Sequence, residues 1–513
     1  MEELRKILFT VSIIFVISCV WKVFNWIWLK PKKLEKYLKE QGIKGTSYKF
    51  FYGDLKERNL SRIEALSKPL EQHSHQIGPR VLPFDHFLFQ KYGKLALTWQ
   101  GPKPMVIVKD PDMIRDILSD NSLNIGYTPE EKMLVTIAGY DGEKWTKHRK
   151  ILTPAFHLDI LKMMLPAFHA SCSDMLKEWQ KLVTTESREL DVWPALHNLT
   201  IDAISRTVFN SSYSEGNRIF QLQWELAGLA MQAIRSARIP GFRFLPTKEN
   251  RKMKYLDREL HSLIRDIVIK KEKAMKTGEA HNNDPLGCLI QSTFRTEDNK
   301  DAKNVGITID EVVQECKFLW LAGKETMAHW LVWTMIVLSM HQDWQQKARD
   351  EVLKVFGKDK PDFDRLNQLK IVSTILNEVL RLYCPAPGTG KRTTNKKVKL
   401  GNVILPPGVY VWPLTIFVHH DHDLWGKDAD EFNPDRFSEG VSKATKSKLS
   451  FFPFGSGPRT CVGQNFAWIN VKIAITMILQ NFSFELSPNY IHAPCLVPTV
   501  KPQYGAPLII HKL

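Results

Sequence analysis

Cysteine is scarce in this chain: seven in 513 residues, odd in number and widely spaced. That excludes a disulfide-stapled secreted scaffold and fits a reducing compartment. No C-x-x-C pair, zinc-finger spacing or basic region with heptads occurs, so the sequence gives nucleic-acid binding no support. The G-x-G-x-x-G fingerprint is missing as well, and with it the common nicotinamide-binding loop. Internal repeats and low-complexity tracts are absent, which excludes solenoids and long disordered arms. Hydrophobic residues at 43% and charged residues at 25% describe a globular chain able to bury a large core, not a multi-span membrane protein.

A net charge of +16 is compatible with nucleic acid, an anionic membrane or an acidic partner. Placement chooses among them. Six lysines and two glutamates lie between Lys30 and Lys44, directly after an apolar run, as in a juxtamembrane basic strip. The rest of the excess is scattered, as on a solvated surface. From Ile7 to Leu29 the chain is apolar except for Ser, Thr, Asn and the single Lys22, close to the ~20 residues that span a bilayer. Trp26 and Trp28 suit the interface, and Lys30, Lys32 and Lys33 follow on what should be the cytosolic side. The run is long and lacks a small-residue cleavage site, which favours an uncleaved anchor over a signal peptide. Residues 1–29 are therefore expected to form the anchor, 30–70 a basic linker and the start of the catalytic region, and 71–513 one catalytic domain.

Within that domain, Gly93 to Ile114 reads as two strands around a Gly-Pro turn, then a helix opening near Asp110-Pro111. Helical periodicity holds from about Glu143 to Lys354, broken at Arg238 to Asn250 and Gly278 to Asn304. Strand signals return between Lys396 and Pro413. The expected fold class is mainly α with a small β-sheet region, behind an N-terminal transmembrane helix. Thr308 and Glu311 have capping-box spacing, and no proline follows until Pro361. A helix from there to about Met340 would be on the order of 45 Å long, and its second half is apolar all round, which marks it as buried.

The stretch "FGSGPRTCVG" (Phe454 to Gly463) holds one cysteine among three glycines, a proline and an arginine. The glycines permit close approach and Pro458 stiffens the loop. An apolar helix is expected to begin at or just after Cys461, and its N-terminal partial charge, with Arg459, favours thiolate over thiol. Cysteines are usually small buried hydrophobes. However, the pattern F-x-x-G-x-R-x-C-x-G arises by chance on the order of once in ten thousand chains of this length.

The loop resembles the haem-binding loop of the cytochrome P450 family. That resemblance implies that the thiolate of Cys461 is the axial ligand of haem b iron, favouring O–O cleavage, with Phe454 and Gly463 shaping the loop and Arg459 meeting a propionate. Further motifs follow the family's order. "LAGKETMAH" resembles its oxygen-activation motif: Ala322 and Gly323 leave a groove beside Thr326, and Glu325 is the acid that relays protons with it. Met327 and Lys324 depart from the usual pattern there. "EVLR" puts Glu378 and Arg381 on one helix face, a spacing that is no signature alone because Glu215 and Arg218 share it. "FNPDRF" adds Arg436 as the third member of this brace, with Asp435 where glutamate is more usual. Trp145 and Arg149 lie at i and i+4, and with Arg392 they are implied haem-propionate partners. The phosphate-loop look of "PGTGKR" fails for want of the Gly-Lys-Ser/Thr ending, and the histidines of "HHDH" fall in a stretch resembling the family's meander.

By this resemblance the protein is a monooxygenase that takes electrons from NADPH through a separate reductase on the endoplasmic reticulum membrane, its catalytic domain cytosolic. Lys443, Lys446 and Lys448 are candidate docking residues for that partner. "WLKPKKLEKYLKEQGIKG", "FFYGDLKE", "PGFRFLPTKENRKM", "EWQKL" and "FNPDRFSEGVSKATK" resemble plant members of the group that includes secologanin synthase and gibberellin, triterpenoid and iridoid oxidases. The implied substrate is a small hydrophobic terpenoid or terpenoid-derived compound. Its contacts are expected at Phe318, Leu321, Met327, Ala386 and Thr389, and also within Asn121 to Ala138, Met231 to Arg235 and Pro494 to Val497. The oxidation is expected to be a hydroxylation or an oxidative rearrangement, and two alternatives stand beside this reading: a haem-thiolate isomerase, dehydratase or ring-rearranging oxidase, and a non-enzymatic membrane haem carrier or sensor.

Overall fold

The computed structural model describes residues 2–119, 125–127, 136–184, 186–209, 211, 213–235, 245–279, 284–297, 306–445 and 450–513. At its centre runs the expected long helix, Ile309–Met340. Thr308 Oγ1 accepts from Glu311 N at 3.2 Å while Thr308 N donates to Glu311 Oε2 at 3.0 Å, so the capping box satisfies donors that a helix start leaves open. From Met327 to Ser339 the helix is buried on every side. It packs against Val192–Val208, Lys248–Lys276, Lys370–Leu382 and the apolar helix Gln464–Asn481.

Leu95–Gln100 and Lys103–Val108 form the expected hairpin, followed by a helix at Pro111–Ser119. They open a five-stranded sheet that continues through Tyr410–Pro413, Arg392–Thr394 and Ile125–Tyr127. Two features differ from expectation inside the helical stretch. Ser187–Asp191 is a strand, because the C-terminal strand Pro507–Lys512 pairs with it along its length; a non-local partner overrides local periodicity. Pro285–Glu297 is a helix within the expected polar break.

The boundary expected at Leu29 falls inside continuous helix. Glu2–Phe24 runs through a π-turn at Asn25–Leu29 into Lys30–Glu40, and among the described residues this is the one helix long and apolar enough to cross a membrane. Residues 30–70 also do more than link. Leu38, Ile43 and Tyr48 are buried against the first sheet, Thr46 N donates to Leu97 O at 3.0 Å, and the Tyr48 hydroxyl donates to Ile27 O. Apolar side chains spaced among the lysines give this segment a face to bury, which its charge obscures in the sequence.

The helix Lys370–Leu382 carries a buried charge network. Arg381 donates from Nε and Nη2 to the two carboxylate oxygens of Glu378, each at 2.7 Å, and both residues are 0% exposed. Its remaining N–H groups go to the carbonyls of His419, Ala429 and Glu431. Arg436 Nε reaches Glu378 Oε1 at 3.4 Å, and Asn433 N reaches it at 3.0 Å. Asp435 is exposed, outside the network. Removing one partner of such a pair leaves a charge buried without compensation. Arg381→Ala should therefore cost about 3–5 kcal/mol, read as a lowered denaturation midpoint and a smaller folded fraction on purification.

Candidate active site

The loop from Phe454 to Gly463 is held by its own backbone. Cys461 N donates to Phe454 O at 2.9 Å, Gly455 N to Phe452 O at 3.1 Å and Thr460 N to Gly457 O at 3.1 Å. Gly457 has φ +71°, and a Cβ there would stand 2.5 Å from Leu118 O, so conformation and space both demand glycine. The helix begins at Gln464 with Gly463 as its N-cap, and Phe466 anchors it edge-on against Phe156 and Phe168. Cys461 is accessible only because it faces a cavity of about 420 Å³; protein surrounds it beyond that.

Another wall belongs to the central helix. Phe318, Ala322, Gly323, Thr326 and Met327 line it, and Thr326 Oγ1 donates to Ala322 O at 2.8 Å. A Cβ on Gly323 would meet Ile204 Cδ1 at 2.8 Å, so glycine lets the neighbouring helix approach. Ala386 and Thr389 line a further side, and buried Thr389 Oγ1 has no hydrogen-bond partner in the protein. Trp145, Arg149, Arg392 and Arg459 complete the lining together with Phe454 and Gly463.

Burial pushes the Cys461 thiol up; the Gly463 N–H and the Arg149 guanidinium oppose it. Arg149 is thus one cation that favours the thiolate, and it also donates to Thr460 O at 2.9 Å. Arg459 Nη2 is 3.1 Å from Asp141 Oδ1, and its guanidinium covers the Trp145 ring at 4.5 Å. The donor set fits haem: a lone thiol at the floor, apolar walls, and three arginines and an indole facing the cavity, suited to carboxylates.

Two expected site residues are not brought to the cavity: Leu321 and Glu325. Leu321, Glu325 and His329 are spaced four apart and form one stripe, rotated away from the stripe of Phe318, Ala322 and Thr326. Glu325 is instead 2% exposed and paired with Lys324. Residues 494–497 do not line the cavity either. Most of 121–138, the side chains of 231–235, and Lys446 and Lys448 lie outside the described residues, whereas Ile137 and Ala138 line the cavity and Lys443 is exposed. Sequence reasoning missed Phe156, Ile204, Val208 and Leu380, which also line it. Their helices are apolar at many positions, so periodicity marks them as core without showing which ones face a void.

The cytochrome P450 family model matches residues 67–501. Cytochrome P450 72A397 of Kalopanax septemlobus is 51% identical over 500 residues, covering 96% of this chain and 95% of that protein. Cytochrome P450 CYP72A219 of Panax ginseng is 49% identical over 507 residues, covering 98% of each. Cytochrome P450 72A15 of Arabidopsis thaliana is 48% identical over 514 residues, again covering 98% of each. A solved structure, the retinoic acid bound cyanobacterial CYP120A1, superposes with a TM-score of 0.76 at 23% identity, covering 92% of this chain and 99% of that one. The cysteine loop, the groove facing it and these similarities agree: the chain belongs to the cytochrome P450 family of haem-thiolate monooxygenases.

Proposed function

We propose that the chain places one atom of O2 into a small hydrophobic specialised metabolite, of terpenoid or terpenoid-derived type, and reduces the other to water. Substrate R–H, O2, two electrons and two protons give R–OH and H2O. The electrons come from NADPH through a separate reductase, with both proteins on the endoplasmic reticulum membrane and the catalytic domain in the cytosol; exposed Lys443 would contribute to docking. When bound, haem supplies the O2-binding iron and the redox chemistry. The chain's own residues do the rest. Cys461 provides the thiolate, which Arg149 and the Gly463 N–H favour. Arg149, Arg392, Arg459 and Trp145 orient the propionates. Thr326 holds a hydroxyl at the groove, Glu325 supplies it with protons, and Phe318, Met327, Ala386 and Thr389 border the substrate. The brace of Glu378, Arg381 and Arg436 keeps the floor of the site in place. The observation that carries this reading is that Cys461 lines the same apolar cavity as Ala322, Gly323 and Thr326.

The carbon monoxide difference spectrum of the reduced protein should show a thiolate-ligated band. Cys461→Ser should abolish that band, and a band at the position of imidazole-ligated haem in the native chain would refute the ligand assignment. Membranes carrying the protein and a plant reductase, offered a panel of terpenoids, should yield oxygenated products that depend on NADPH. Thr326→Ala should lower product formed per NADPH consumed by about a hundredfold or more, the low end of what a general acid contributes. Product formation without O2 would favour the isomerase or dehydratase reading instead.

A further inference from the structure

The face of the central helix turned away from the cavity carries a polar cluster in an otherwise apolar region. Lys324 is 1% exposed, Glu325 2% and His329 0%. Lys324 Nζ donates to Glu325 Oε1 at 2.6 Å. The other carboxylate oxygen has no hydrogen-bond partner and lies 3.6 Å from His329 Nδ1. That nitrogen is 2.8 Å from Thr499 Oγ1, part-buried in the turn between Pro494–Leu496 and Val500–Pro502. His329 Nε2 is 3.3 Å from His197 Nε2 on the neighbouring helix. Phe220 and Trp224 cover the Lys324 ammonium, and Lys501 Nζ stands 4.6 Å from the Trp224 ring centroid.

Ligand atoms of His197, Glu325 and His329 lie within 4.8 Å of one another. The cluster does not make a metal site, because Lys324 already neutralises the carboxylate, Thr499 occupies His329 Nδ1, and a divalent cation would confront both ammonium groups. Its chemistry is that of proton storage. Burial lowers Lys324 to about 8, with the Glu325 carboxylate opposing and Lys501 adding to the effect. Burial likewise lowers His329 to about 3 and keeps His197 neutral. Among the groups facing Lys324, which are Glu325 and His329 on its own helix, His197, and Lys501, the Lys324 ammonium is the one whose proton burial loosens toward the physiological range.

We propose that Lys324 is a positioning residue that loads Glu325: the ammonium passes its proton across the hydrogen bond, and the neutral carboxyl so formed turns toward Thr326 and the cavity. This rests on the monooxygenase reading, in which two protons reach the cavity for each O2 reduced. In the step an N–H bond of Lys324 breaks and an O–H bond of Glu325 forms; no electrons move, and the amine later regains a proton from solvent. A carboxylate held by an adjacent ammonium is costly to pull away, whereas a neutral carboxyl and a neutral amine can separate inside an apolar wall.

The test is K324R in the full-length holoenzyme with reductase. Arginine keeps the charge and the ion pair but does not give up its proton. Product per NADPH with O2 is compared with product from iodosylbenzene, an oxygen-atom donor that requires no proton delivery. The ratio of the two should fall by about a hundredfold or more in K324R, with the lost electrons appearing as hydrogen peroxide. In the native chain the same ratio should fall as pH rises through about 8, because the donor is loaded below that value and empty above it, and K324R should show no such step. Infrared difference spectra of the ferric holoenzyme across pH about 8 should show a carboxylate stretch shifting as its ammonium partner titrates, a signal lost in E325Q. A K324R protein with the native ratio, or no infrared titration there, overturns the proposal. The native pH profile and spectra decide the matter should K324R fail to bind haem. No product from either oxidant overturns the monooxygenase reading, and the proposal falls with it.

Discussion

A guanidinium with no exposed surface must find an acceptor for each of its N–H groups, and Arg381 meets that demand with Glu378 and three main-chain carbonyls. Those carbonyls belong to His419, Ala429 and Glu431, in a stretch with little regular structure to hold it. Each bond ties that stretch to the helix Lys370–Leu382. The next tie leads onward: Phe452 N donates to His419 Nε2 at 2.9 Å, and Phe452 opens the turn that delivers Phe454 and Cys461. The position of the sulfur thus follows from a hydrogen-bond requirement met some distance away. Burial holds the His419 imidazole neutral, lowered to about 3, so this nitrogen remains an acceptor throughout the physiological range.

The central helix separates two kinds of chemistry by rotation alone. One stripe presents Ala322, Gly323 and Thr326 to the cavity, where small size and a hydroxyl matter. The adjacent stripe presents Glu325 and His329 to a buried interior lined by Lys324 and His197. Helices packed on either side keep the register fixed. Thr200 Oγ1, for example, donates to Lys324 O at 3.3 Å and so fastens the two helices at the point where the faces diverge.

Much of the architecture was legible before any coordinates. The capping box at Thr308, the first hairpin and the helix after Cys461 all follow from local chemistry, and local chemistry is what spacing reports. Ser187–Asp191 was not legible, because its strand character comes from a partner more than three hundred residues away. The cysteine loop stood out through a run of residues rare in combination. Arg149 as a donor to the Thr460 carbonyl beside the sulfur, and Arg459 as the partner of Asp141, depend on which helix reaches the loop and cannot be read from spacing. Glu325 shows a subtler limit. Its place in a motif suggests a cavity residue, yet helical geometry sets it one step around, and the neighbouring lysine that holds it there carries no signal of burial in the sequence.

The unbroken passage from Glu2 to Glu40 bears on mechanics as well as on boundaries. Leu38 is 0% exposed, Trp28 lies against Tyr48 and Phe50, and the Tyr48 hydroxyl reaches back to Ile27. Lys30–Glu40 is therefore a strut of about 16 Å seated in the domain at its far end, not a tether. A bilayer that grips the apolar turns also grips the orientation of everything beyond them. With those turns in a bilayer, the strut would fix how the domain is tilted and how far each of its faces stands from the lipid.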